Sequence, residues 1–175
     1  MDCACEKCQN FCRHKPGWFT PDQIAPLARR LNVTVEALFR TYLTIDAVLV
    51  EENGQPKGIY VLAPALVGQR AGAIADPTAK GACVWFKDGQ CAIHDMKPLE
   101  CQRVDHATTP QDGNLLRASI LKAWMPRKSF VQDLYASKLK PPEALKAAYR
   151  AAKRRRVGGP VTDSAPIPAP SRDMR

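Results

Sequence analysis

The sequence predicts an α+β fold: a small cysteine-cluster domain with short helices and β-hairpins, followed by basic C-terminal helices. Three observations predict it. Apolar residues recur at helical spacing over about residues 21–31 and again after Thr34. Two runs rich in Val, Ile and Leu, 45–50 and 58–63, flank Asn53-Gly54, a dipeptide that supplies the positive φ of a hairpin turn. Seven cysteines fall into two groups, near the start and around residues 83–101.

The elements follow in order. Residues 3–14 form a cysteine-rich opening with little apolar periodicity. Thr20-Pro21-Asp22-Gln23 reads as a helix start, with Thr20 capping, Pro21 at the first position and Gln23 completing a capping box. Ile24, Leu27, Ala28 and Leu31 then lie on one side, and Asn32 stops the helix. Thr34 caps a second helix with Val35, Leu38, Phe39 and Tyr42 or Leu43 as its apolar side. The hairpin across Asn53-Gly54 comes next, and the Gly- and Ala-containing stretch 68–81 reads as loop. Cys83–Phe86 and Gln90–Ile93 flank a second tight turn, Asp88-Gly89. Pro98 opens a short helical turn that carries Cys101. Further helices are expected around 115–123 and from Pro141-Pro142 to about Arg156.

Charge divides the chain. Residues 1–114 carry 12 Lys/Arg and 13 Asp/Glu, whereas residues 115–156 carry 12 Lys/Arg against Asp133 and Glu143. The expected organisation is therefore a cysteine-cluster domain (1–114), a basic helical extension (115–156) and a disordered Pro-rich tail (157–175). No run of 18 apolar residues predicts a membrane span. The opening residues lack the pattern of a secretory signal, so a cytoplasmic location is expected. Thiols stay reduced there, and seven cysteines cannot all pair within one chain.

The first cysteine group is Cys3, Cys5, Cys8 and Cys12, and the second is Cys83, Cys91 and Cys101. Zinc or an iron–sulfur cluster needs about four soft donors converging on one point. The spacing of Cys5 and Cys8 lets one turn of backbone present two sulfurs. The Asp88-Gly89 hairpin can bring Cys83 near Cys91 across the strands, and the turn after Pro98 can return Cys101 to the same side. The candidate metal ligands are thus Cys5, Cys8, Cys12, Cys83, Cys91 and Cys101. Cys3 is a weaker candidate because it lies so near the chain end. Buried thiols packing as small hydrophobes and a transient catalytic disulfide are the alternatives, although no thioredoxin-like pattern surrounds Cys5 and Cys8.

The sequence resembles the YkgJ-like CxxCxxCC cysteine-cluster family, described as a zinc- or iron-chelating domain. The resemblance runs over about residues 3–106. It rests on Cys5-Glu6-Lys7-Cys8-Gln9-Asn10-Phe11-Cys12, on Phe19–Ile24 followed by Leu31–Leu38, on Cys83-Val84-Trp85-Phe86, on Gly89–His94, and on Lys97-Pro98-Leu99-Glu100-Cys101-Gln102-Arg103. Phe11 stands where the family has the first cysteine of its CC pair, and Lys97 replaces an Arg. Cys3 is an extra cysteine. The resemblance implies chelation of zinc or iron, with fewer metals or a differently arranged cluster than in relatives. A relative, the flagellin lysine N-methylase, carries a similar motif, so methyl transfer or redox chemistry is the enzymatic alternative.

Other residues carry less. His14, His94 and His106 are candidate nitrogen ligands whose plainer reading is surface or hydrogen-bonding histidine. Asp95 and Glu100 could orient ligands but read first as solvated carboxylates. Arg13, Lys15 and Arg103 could offset thiolate charge, and Trp18, Trp85 and Phe86 read as core or as a cover over the cluster. Residues 27–38 could form a helix-turn-helix, but with Glu36 and only Arg40 on the second helix they read as structural. The basic segment 146–156 is the better candidate for binding nucleic acid or an acidic protein, against the reading of a solvated helix face.

Overall fold

The computed structural model describes residues 6–14, 16–53, 55–105, 107–135, 138–141 and 143–158, with the side chains of 7, 8, 144 and 152–158 outside that description. The expected tail 157–175 therefore falls almost wholly outside the described residues, as do Cys3, Cys5, Lys15 and His106. The fold is mixed helix and strand, in keeping with the α+β expectation.

The chain opens with α1 (Glu6–His14). The cysteine-rich opening is thus helical despite its weak apolar pattern. Glu6 in the first turn and Arg13 and His14 in the last complement the helix dipole. An extended strap, residues 16–20, leads to α2 (Pro21–Arg30). Gln23 accepts the Thr20 N–H at 3.0 Å, as the capping pattern predicts. Asn32 ends the helix region in a left-handed conformation, φ 54°. Thr34 caps α3 (Val35–Tyr42) by accepting the Ala37 N–H at 3.1 Å. Leu38 and Phe39 are buried with Ile24, Leu27 and Ala28, so this helix pair faces the core.

β1 (Leu43–Glu52) and β2 (Gln55–Pro64) form an antiparallel hairpin in register from Leu43 opposite Pro64 to Glu52 opposite Gln55. Both strands are longer than their apolar runs. Ile59 to Ala65 are buried without a break, so both faces of β2 are covered along this stretch. The exposed tip carries Glu51, Glu52 and Lys57. The second hairpin is much smaller, β3 (Phe86–Lys87) and β4 (Gln90–Cys91), with Asp88 at φ 49° and Gly89 at φ 77° in its turn. α4 (Leu99–Arg103) follows Pro98.

The C-terminal helices are α5 (Pro110–Trp124), α6 (Lys128–Leu134) and α7 (Glu143–Gly158). α5 starts earlier than the apolar spacing predicts, because Thr109 caps it by accepting the Asp112 N–H at 3.2 Å. α6 is an element the sequence reading missed. The residues read from charge as an extension share the core: Ile120, Trp124, Val131 and Leu139 are buried in one cluster with Phe19, Leu43 and Val61. The Trp124 indole N–H donates to the Phe19 carbonyl at 2.7 Å. Positive charge marks the outer faces of these helices, and their inner faces complete the domain. Among the described residues, no helix is long and apolar enough to cross a membrane.

Candidate thiol centre

Three segments bring cysteines to one place. α1 docks against the small hairpin by three contacts. Gln9 Nε2 donates to the Gly89 carbonyl at 3.1 Å, Arg13 lies 5.4 Å over the Phe86 ring, and the Cys12 carbonyl accepts the Cys83 N–H at 3.0 Å. The last contact satisfies one of the carbonyls that every helix leaves open at its C-terminal end. Cys83 is also bridged to Leu66, which ties it to the chain leaving β2.

The route from Cys83 to Cys91 differs from the expectation. Cys91 pairs with Phe86, and the strands stop there. Cys83 lies before the hairpin, on a turn closed by the Phe86 N–H donating to the Cys83 carbonyl at 2.8 Å. The turn takes Cys83 out of the strand pairing yet leaves its sulfur within electrostatic reach of Cys91.

α4 brings Cys101. The Gly17 N–H donates to Cys101 Sγ at 3.1 Å. A Cβ on Gly17 would meet Glu100 Cβ at 2.7 Å and Cys101 Sγ at 3.0 Å, so the strap passes this cysteine as closely as a bare backbone permits. Gln23 holds α4 in place from the other side. Its Oε1 accepts the Leu99 N–H at 3.0 Å and its Nε2 donates to the Lys97 carbonyl at 3.2 Å, spanning Pro98. One side chain thus caps α2 and locates the closing motif.

Cys12, Cys83, Cys91 and Cys101 all line one cavity of about 90 Å³, walled by Phe11, Trp85, Phe86 and Ile93. All four are thiols. Burial pushes the Cys83 thiol up to about 12, with the charges of Cys91 and Cys12 adding to the effect. Burial also raises Cys101, opposed by the Gly17 N–H and reinforced by Cys12, Cys83 and Glu100. The charged groups acting on both thiols all oppose ionisation, so as it stands the centre favours neutral sulfur. Among the described residues, no group of three or more Cys, His, Asp or Glu is arranged to hold a metal ion. In kind the donors suit zinc or iron, being soft sulfurs in an apolar shell. Cys8 lies in α1 one turn before Cys12, with its side chain outside the description.

Other expected roles sort differently. His14 and His94 are exposed and do not line the cavity. Asp95 is solvated and pairs with Arg30 at 3.6 Å. Arg13 lies over the Phe86 ring, one wall of the cavity. Arg103 is exposed. Trp85 is buried against Phe19 and Tyr42, as expected of a core residue, and walls the cavity.

Glu100 departs most from expectation. It is buried, not solvated. Its Oε2 accepts the Trp18 N–H at 3.0 Å and its Oε1 accepts Arg117 Nε at 2.6 Å. The Arg117 guanidinium lies 5.0 Å over the Trp18 ring, and Trp18 Nε1 donates to Asp46 Oδ2 at 2.8 Å. Gly17, Asp46 and Arg117 went unmarked in the sequence reading. Two had a signal: Asp46 interrupts an apolar strand, and Arg117 shares a helix face with Ile120 and Trp124.

No family model, curated protein or solved structure matches the chain.

Proposed function

We propose that this chain is a metal-binding protein that holds zinc, iron or an iron–sulfur cluster in its thiol cavity. Cys12, Cys83, Cys91 and Cys101 would be the ligands, joined by Cys5 and Cys8 from the opening segment. The observation that supports this most is convergence: cysteines from α1, the hairpin and α4 open onto one cavity, although 89 residues separate the first from the last. Burial and the neighbouring sulfurs oppose ionisation of Cys83 and Cys101, so without a cation these two stay protonated. Bound metal supplies the missing positive charge, and its ligands bind as thiolates. Its uptake would draw the sulfurs into coordination. The cavity volume exceeds the roughly 10–15 Å³ that one water needs, so it has room for more than a bare ion.

Purification without oxygen, followed by metal analysis and an absorption spectrum, tests the reading. Zinc gives a colourless protein, and an iron–sulfur centre absorbs in the visible. Cys83→Ser and Cys101→Ser should each lower the metal content. Protein that is folded and reduced yet takes up neither zinc nor iron would end the proposal. A cluster-dependent enzyme, for methyl transfer or redox, would need substrate space beside the thiols. A visible spectrum of the metal-loaded protein that changes when a small thiol or methyl donor is added would favour it, and an unchanged spectrum would count against it.

A second reading concerns the basic helices. Lys122, Arg127, Lys128, Lys138, Lys140 and Arg150 are exposed. Such a surface suits the phosphate backbone of nucleic acid, with affinity that falls as salt rises. Changing Lys153, Arg154, Arg155 and Arg156 to Ala should weaken binding to both DNA and RNA. Unchanged binding would remove this reading, and an acidic protein would then be the remaining partner class for residues 146–156.

A further inference from the structure

Two cysteines that line the cavity, Cys12 and Cys83, touch through their backbones. The Cys83 N–H donates to the Cys12 carbonyl at 3.0 Å. Standard lengths of the N–Cα and Cα–C=O arms keep the two α-carbons within roughly 6.5 Å, inside the span of about 4.4–6.8 Å that a disulfide bridges. Both side chains line the same cavity, and each sulfur lies within electrostatic reach of the other. The pair is unequal: Cys12 is partly exposed on α1, whereas Cys83 is buried.

We propose that Cys12 and Cys83 form a reversible disulfide that responds to peroxide and governs the chelating site. This rests on the metal-binding reading for its consequence but not for its chemistry. The oxidant is hydrogen peroxide, which reaches the more exposed sulfur first. Cys12 Sγ attacks one peroxide oxygen, the O–O bond breaks, and Cys12 becomes a sulfenic acid while water leaves. Cys83 Sγ then attacks that sulfur, the S–S bond forms, the S–O bond breaks and a second water leaves. Two electrons pass from the two thiols to the peroxide. A dithiol reductant reverses the change by exchange. The bond staples α1 to the segment before the hairpin and withdraws two donors from the site at once.

The experiment uses the full chain, reduced, stripped of metal and treated with hydrogen peroxide, then alkylated and digested with trypsin. Cleavage after Lys and Arg leaves Cys83 as the one cysteine on the peptide 81–87. Mass spectrometry should find that peptide joined to residues 8–13, with fragmentation placing the bond on Cys12 and not Cys8. Cys83 that stays a thiol, or joins Cys8, Cys91 or Cys101 instead, overturns the assignment. Zinc uptake by the oxidised protein should fall by more than about 100-fold, beyond the loss seen when a ligand's outer partner is removed. Dithiothreitol should restore it. Oxidised protein that binds zinc as the reduced form does overturns the regulatory role. Reduced protein that binds no metal at all would sink the chelation reading while leaving the cross-link result to decide the disulfide.

Discussion

Gly17 donates its backbone N–H to Cys101 Sγ across 84 residues of sequence. That contact fixes where the strap crosses α4, and the space there is already full. Gly17→Ala would push its Cβ to 2.7 Å from Glu100 Cβ and 2.9 Å from the Cys101 backbone nitrogen. Overpacking of this kind costs about 1–3 kcal/mol. The urea midpoint should fall accordingly, and metal uptake should weaken because Cys101 is displaced. A variant with wild-type stability would mean that the strap yields without cost.

The second prediction concerns Glu100 and Arg117. Glu100→Ala strands the Trp18 N–H and costs about 1–3 kcal/mol. Arg117→Gln should cost less, about 1 kcal/mol, because the guanidinium is 48% exposed and water compensates for part of the lost pair. A double-mutant cycle should return a coupling of at least about 0.5 kcal/mol. Strictly additive losses would show that the 2.6 Å contact carries no net energy.

Asp46 gives a pH dependence of defined sign. Burial lifts its carboxyl above the ordinary value of 3.8, partly offset by the Trp18 hydrogen bond. The folded chain therefore keeps a proton that the unfolded chain releases near pH 4. Stability falls as pH rises from about 4 to the raised value, and is level above it. Asp46→Asn keeps an oxygen for Trp18 Nε1 and removes the charge. Urea midpoints measured from about pH 4 to 7 should lose that slope in the variant; an unaltered slope would assign it to another group.

Metal uptake should be coupled to proton release. Cys83 is pushed up to about 12 and Cys101 is raised as well, so both are protonated at neutral pH without metal. Binding them as thiolates displaces both protons. Zinc affinity should therefore climb at least about 100-fold per pH unit between roughly pH 6 and 8, tenfold for each of these two protons. Calorimetry in buffers of different ionisation enthalpy counts the protons directly. Release of fewer than two would place Cys83 or Cys101 outside the coordination.

Local chemistry made much of the framework legible. The Thr20 and Thr34 caps, the stop at Asn32 and the turns at Asn53 and Asp88 depend on a few neighbouring residues, so their patterns survive in any tertiary setting. The convergence of Cys12, Cys83, Cys91 and Cys101 on one cavity was anticipated for the second group by its turns, though by the wrong route for Cys83. The burial of Glu100 was not legible, because its partners Trp18 and Arg117 lie 82 and 17 residues away.

The sequence by itself determined which residues bear soft donors, where helices begin and where hairpins turn. These are properties of side-chain type and of backbone freedom over a few residues. Only the tertiary structure decided that Gln23 would anchor the Pro98 turn, that Trp124 would reach Phe19, and that Glu100 would be buried beside Cys101. Those outcomes depend on which segments pack together, and burial can reverse the environment that a residue's chemistry alone would select.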